Sequence, residues 1–452
     1  MHDDTQVARV FEMGKVLKSG VFPVRVVPDL GYGYGYPIFN FYAPLAYYIG
    51  GFFILLGFDA LIATKLMMIL GILLSGIFMY FLAREFFGQL GGIVSGLFYL
   101  YAPYHALDIY VRGDVAEFWA YTFVPLAFLG LYKKNTLIGS IGFAGLILAH
   151  NLTAMMVAPF LIIVTLLNCY IAPNGKKLLI AYRLSLIAFL GLALSAFYWV
   201  PALLELKYTN VLSQIGGGAD FRDHFVCIPQ LWDSLWGFGG STPSCIDGLS
   251  FKIGKLHIIT SFVSIILVLF IDKIRKSKEA SIIIFSFLGF LLSIFFTLEV
   301  SRLVWEVVPA MDFFQYPWRF LILTSFFSSL LAGSLVYLSR QFEIKPYLVL
   351  ASLIFFLLFF NVKLFNPQTI LSKTARDYTS EYALKWTASK ISDEYLSPNF
   401  KKPKNEKEIY KGRASIRVEQ TTIEKTSNAV SLIGLLALAL GIILFNRNKK
   451  YE

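Results

Sequence analysis

Apolar runs of about twenty residues alternate with short polar connections along most of the chain. They fall at 41–57, 61–83, 92–107, 116–132, 136–149, 152–171, 178–202, 256–271, 280–298, 318–338, 347–365 and 429–445. A helix of that length matches the hydrocarbon thickness of a bilayer, so the pattern predicts an all-α polytopic membrane protein. Basic residues cluster at Lys133-Lys134, Lys176-Lys177, 273–278, 340–345 and 447–450. The preference of such loops for the cytoplasm puts these inside and loops 103–116, 204–255, 299–317 and 366–428 outside. The run 41–57 is interrupted by Pro44 and Gly50-Gly51, and parity makes it interfacial or re-entrant. About eleven transmembrane helices then remain, with a cytoplasmic C-terminus and an outer N-terminus. A chain that opens outside in polar sequence leads us to expect a further transmembrane helix upstream of Met1.

The polar stretches divide the rest. Residues 1–60 carry an acidic loop followed by juxtamembrane or interfacial helices. Val7, Val10 and Phe11 recur at helical spacing and predict a short amphipathic helix over 5–18, stopped by Gly20 and Pro23. The segment from Pro28 to Pro37 reads as an aromatic, glycine-rich loop. Residues 61–365 form the transmembrane helical domain. Residues 366–428 have ordinary soluble composition, a helical patch near 377–390 and an alternating run from Ala414 to Ile423, which together predict a small α+β segment. Residues 429–452 supply the final helix and a basic tail.

Composition removes several classes of function. The 452 residues are 57% hydrophobic and 15% charged, which no soluble domain of this size sustains. The formal charge of +11 resides in orientation-setting loops and suits anionic lipid head groups, so it does not point to nucleic acid. Cys169 lies inside an apolar run. Cys227 and Cys245 share one long outer loop, where they form a disulfide or remain two separate thiols, depending on the compartment.

Candidate chemistry gathers on the outer face. Asp3 and Asp4, preceded by His2, are adjacent carboxylates that suit a general base and a divalent-metal ligand; capping of the helix behind them is the structural alternative. The stretch YHALDIYVRGDVAEFWAY brings His105, Asp108, Arg112, Asp114 and Glu117 to another outer loop. Acids in a first helical turn complement the macrodipole, but Glu117 also abuts an apolar run, where an ionisable side chain suggests function. His150, at the outer turn of a hairpin, reads as a metal ligand or proton relay, or as a residue satisfying broken backbone. Arg319, after Pro317 and Trp318, reads as a phosphate partner or as a snorkelling residue, and Arg112 likewise.

The opening HDDTQVARVFEMGKVLKSGVFP resembles the first extracytoplasmic loop of the GT-C superfamily of membrane glycosyltransferases. There an acid or acid pair precedes an amphipathic juxtamembrane helix, a proline-bearing loop and an interfacial helix. The set YVRGDVAEFWAY, LAHNLTA, AFYWVPALLE, LWGFGGS, QYPWRF and SDEYL resembles the 6-pyruvoyl-tetrahydropterin-synthase-related membrane domain family. The resemblance implies transfer of a sugar from a polyprenyl-phosphate donor in the cytoplasmic membrane to an extracytoplasmic acceptor. Asp3 or Asp4 would be the base, and Asp114 and Glu117, with His150, would hold a divalent metal (Mg or Mn) or position the acceptor. Arg112 and Arg319 would bind the donor phosphate. The upstream helix of the GT-C pattern is absent from this sequence. A transporter or lipid flippase, and a non-catalytic envelope-assembly protein, are the competing readings.

Overall fold

The computed structural model describes residues 3–211, 220–410 and 419–448, so His2 lies outside it. The chain is all-α and polytopic: among the described residues, eight helical segments are long and apolar enough to cross a membrane. Numbered with their shorter neighbours, the main helices are α1 (Gln6–Lys18), α2 (Leu45–Leu55), α3 (Ala60–Leu100), α4 (Val115–Lys133), α5 (Thr136–Ala149) and α6 (Asn151–Tyr170). They continue as α7 (Lys177–Leu204), α8 (Lys255–Phe270), α9 (Lys278–Thr297), α10 (Leu321–Leu338), α11 (Pro346–Asn361) and α12 (Thr422–Asn448). The chain separates into two compact units, one holding residues 71–114 and 215–370, the other 3–70, 115–214 and 371–452.

The first unit is built around α10, whose faces are buried almost all round. Its four serines and one threonine are apolar in effect, because their hydroxyls return to carbonyls three or four residues back along the chain. Val94, Phe98, Ala332, Val336, Leu353 and Leu357 form its core. The runs 61–83 and 92–107 meet at Gly88, whose φ of 72° and ψ of −177° break α3. The arms then fold back: a Cβ at Gly96 would stand 2.8 Å from the Gly76 carbonyl oxygen. Twenty residues of straight helix would separate those positions by about 30 Å.

The second unit packs α4 against α5, α5 against α7, and α7 against α12. The α4–α5 crossing is close enough that a Cβ on Gly130 would lie 2.1 Å from the Gly139 Cα, so small residues set the helix separation where lipid offers no hydrophobic drive. α1 and α2 pack through Gly14, Gly50 and Gly51 against Ile54, Val10 and Met13. With 11 residues α2 extends only about 16 Å, too short to cross hydrocarbon.

The helical part of the segment 366–428 is described, and the expected strand is not seen among the described residues. Among the described residues the segment contains short helices, Ala375–Thr379, a wider-wound turn Ala383–Ala388 and Ser389–Ile391, and no strand. Half of the expected alternating run, 414–418, lies outside the described residues, and its last two residues, Thr422 and Ile423, open α12.

Candidate functional site

In the second unit the chemistry begins at the head of α1. Asp3 is fully engaged. Its carboxylate accepts from the Thr5 amide at 3.2 Å and the Thr5 hydroxyl, from Gln6 Nε2 at 2.7 Å and from Arg9 Nη1 at 3.3 Å. Arg9 is buried, stacks 5.0 Å over the Tyr42 ring and reaches the Tyr47 hydroxyl, which donates to Gln6 at 2.6 Å. Asp3 therefore ties down Thr5 at the head of α1 and pairs with a buried cation. Asp4 differs: its side chain is 45% exposed, with Lys373 Nζ 4.0 Å away. Of the two neighbouring acids, one is structural and the other faces solvent.

One turn further along, Glu12 is fully buried on α1, on the same stripe as Ala8 and Val16. Its Oε2 accepts the Asp29 amide at 3.0 Å, while no donor reaches Oε1. Burial, together with the neighbouring Asp29 carboxylate, pushes the Glu12 carboxyl up to about 8. Asp29 itself is ion-paired with Lys15.

A second buried network ties distant parts of the same unit. Arg25 donates to Asn40 and to Asn428, each at 2.8 Å, and lies 3.5 Å from Glu424. Asn40 donates to Glu205 at 2.8 Å, and Thr421 donates to the other Glu205 oxygen at 2.6 Å. Every charge in it has a partner, as burial requires. Glu117, in the first turn of α4, is fully buried. His150 joins α5 to α6 and its Nδ1 meets the Thr153 hydroxyl at 2.8 Å.

The first unit holds the other group. Arg112 is buried between two carboxylates: it pairs with Asp108 and, at 2.8 Å, with Asp114, and stacks 4.6 Å over Trp318. Trp318 Nε1 donates to Ser241, which is 2.7 Å from His224 Nδ1. Arg319 donates to the Phe314 carbonyl at 2.9 Å and stacks on Tyr316. Both arginines thus have protein partners. His105 contacts the Leu100 carbonyl, and burial pushes it down to about 4, leaving it neutral. Cys227 and Cys245 are joined by a disulfide with Cα atoms 5.6 Å apart; Cys169 is free.

The divalent-metal expectation finds no donor set. Among the described residues no three His, Cys, Asp or Glu side chains gather to hold an ion. Asp114 shares the Arg112 guanidinium with Asp108. Sequence reasoning missed Glu12, Asp29, Arg25, Glu205 and Glu424. The signal for Glu12 was available: an acid at i+4 from Ala8 and i−4 from Val16 falls on the apolar stripe. For Arg25 there was none, since its partners are distributed along the chain.

No family model matches the chain. It is similar to an uncharacterized protein of Lactococcus lactis subsp. cremoris, 26% identical over 213 residues, which cover 44% of this chain. The match spans 35% of that protein's length. No solved structure matches.

Proposed function

We propose that this chain is an integral membrane glycosyltransferase of GT-C type that moves a sugar from a polyprenyl-phosphate donor to an extracytoplasmic acceptor. The observation that carries the reading is the division of labour at the head of α1. Asp3 is saturated by four donors and holds the turn, while Asp4 keeps an exposed carboxylate on a rigid support. The order of acidic head, amphipathic helix, proline-bearing loop and short interfacial helix matches the resemblance drawn from the sequence. In this reading Asp4 is the base. It takes the acceptor hydroxyl proton as the acceptor oxygen attacks the anomeric carbon and the bond from that carbon to phosphate oxygen breaks, releasing polyprenyl phosphate. Lys373 sits where a cation would steer the acidic lipid donor. Eleven crossings would need the two arms of α3 to cross separately and both α5 and α8 to span.

The test is transfer of a radiolabelled sugar from polyprenyl phosphate in membranes holding equal amounts of each variant. Asp4→Asn should lower turnover by at least about a hundredfold, the scale of general-base loss. Wild-type turnover in Asp4→Asn would remove the assignment.

A further inference from the structure

The loop at 31–36 in the second unit, GYGYGY, holds three tyrosines in different environments. Gly31, Tyr32, Gly33 and Gly35 all take left-handed backbone, with φ of 65°, 59°, 83° and 91°. That region is disfavoured for tyrosine and persists only where the surroundings impose it. Here they do. Tyr32 is buried, stacks on Phe400 at 6.1 Å, meets Trp386 edge-on and donates its hydroxyl to Asp393. Tyr36, also buried, contacts Ser392 and accepts the Tyr395 amide. The Tyr410 amide donates to the Tyr32 carbonyl, and the buried Lys385 ammonium donates to the Tyr410 carbonyl at 3.1 Å. Two tyrosines therefore anchor the loop on the 371–410 segment.

The third points out. Tyr34 is 52% exposed and stacks at 5.1 Å on Tyr410, itself 39% exposed, with Phe400 edge-on at 5.6 Å. The platform lies outside the membrane-spanning helices, and hydrogen-bonding groups adjoin it: Lys385, paired with Glu381, on the Tyr410 carbonyl, and Asp393, paired with Lys402, on the Tyr32 hydroxyl. Lipid contact is disfavoured by the charges at 401–408. We propose that the Tyr34–Tyr410 face binds a glycan chain, laying the C–H face of a pyranose on the electron-rich rings while the adjoining polar groups take its hydroxyls. The glycan as ligand, in the role of the acceptor, rests on the glycosyltransferase reading.

The experiment uses the full chain in lipid nanodiscs, with chitohexaose, mannohexaose and isomaltohexaose as probes and saturation-transfer NMR as readout. Saturable binding of at least one hexasaccharide is expected. Tyr34→Ala or Tyr410→Ala should weaken it at least about tenfold, as truncation of an aromatic anchor does, while Tyr34→Phe keeps it. Binding of none of the three, or binding indifferent to Tyr34→Ala, overturns the proposal. So does tight binding of a decaproline peptide in place of sugar, which would make the face a peptide site. Lost glycan binding with sugar transfer intact removes only the platform; intact binding without transfer removes only the transferase reading.

Discussion

Replacing Glu12 by glutamine should stabilise the protein at alkaline pH and leave it unchanged in acid. In the folded chain the Glu12 carboxyl holds its proton up to about 8, against an ordinary value of 4.5. The unfolded chain therefore releases that proton first. Below 4.5 both states are protonated and the side chain costs nothing. As pH rises from 4.5 to about 8 the folded state is progressively disfavoured, and above 8 the loss is complete. At about 1.4 kcal/mol per pH unit the ceiling is near 5 kcal/mol, and roughly 3 kcal/mol applies at pH 7. Glutamine keeps an oxygen for the Asp29 amide and adds a donor for the Asp29 carboxylate, mimicking the protonated acid without titrating. Thermal unfolding in detergent at pH 5 and pH 8.5 reads the global effect, and hydrogen exchange over residues 6–18, corrected for intrinsic rates, reads the local one. The wild type should lose several degrees and amide protection between the two pH values, and Glu12→Gln should lose neither on this account. Parallel pH profiles for the two proteins would refute the reasoning.

Other expectations follow from the packing. Arg25→Met leaves Glu424 and Glu205 as buried acids lacking their cation and should cost about 3–5 kcal/mol, seen as a lower unfolding temperature; replacing Arg25 and Glu424 together should recover part of it. Gly130→Leu drives a side chain into α5 at Gly139 and should destabilise by more than the 1–3 kcal/mol typical of overpacking, whereas the same change at Gly175, which has nothing near it, should be neutral in the same melt. Serine at both Cys227 and Cys245 opens a link across 18 residues and should lower stability by about 3 kcal/mol in oxidising buffer, with no difference once the wild type is reduced.

Long apolar runs made the helices legible, because the bilayer imposes one length and one kind of surface. The amphipathic α1 and the short α2 were legible for the same reason. Tertiary fold-back was less so: Gly88 is one glycine among many, and only contacts such as Gly96 with Gly76 show its turn. Of the alternating run from Ala414 to Ile423, residues 414–418 lie outside the described residues, and Thr422 and Ile423 belong to α12, since alternation over a few residues does not exclude a helix start. At the candidate site the sequence brought Asp3 and Asp4 into view together but could not separate their roles, which depend on Arg9, Gln6 and Lys373. Arg112 and Arg319 were conspicuous as cations near the membrane, yet their partners are short-range ones, Asp108, Asp114 and the Phe314 carbonyl, that spacing alone left open.

The bond between Arg25 and Asn428 closes a span of 403 residues. During synthesis the guanidinium emerges about 400 residues before the groups that complete its shell at Thr421, Glu424 and Asn428. The N-terminal segment must therefore wait, with Arg25 hydrated or provisionally paired, until the final helix is delivered. Maturation of this unit is a closing event that joins the Arg25 segment to α12. A chain stopped before Thr421 should insert its earlier helices yet leave the Arg25 region open to protease, and protection there would show that the first segment can settle alone.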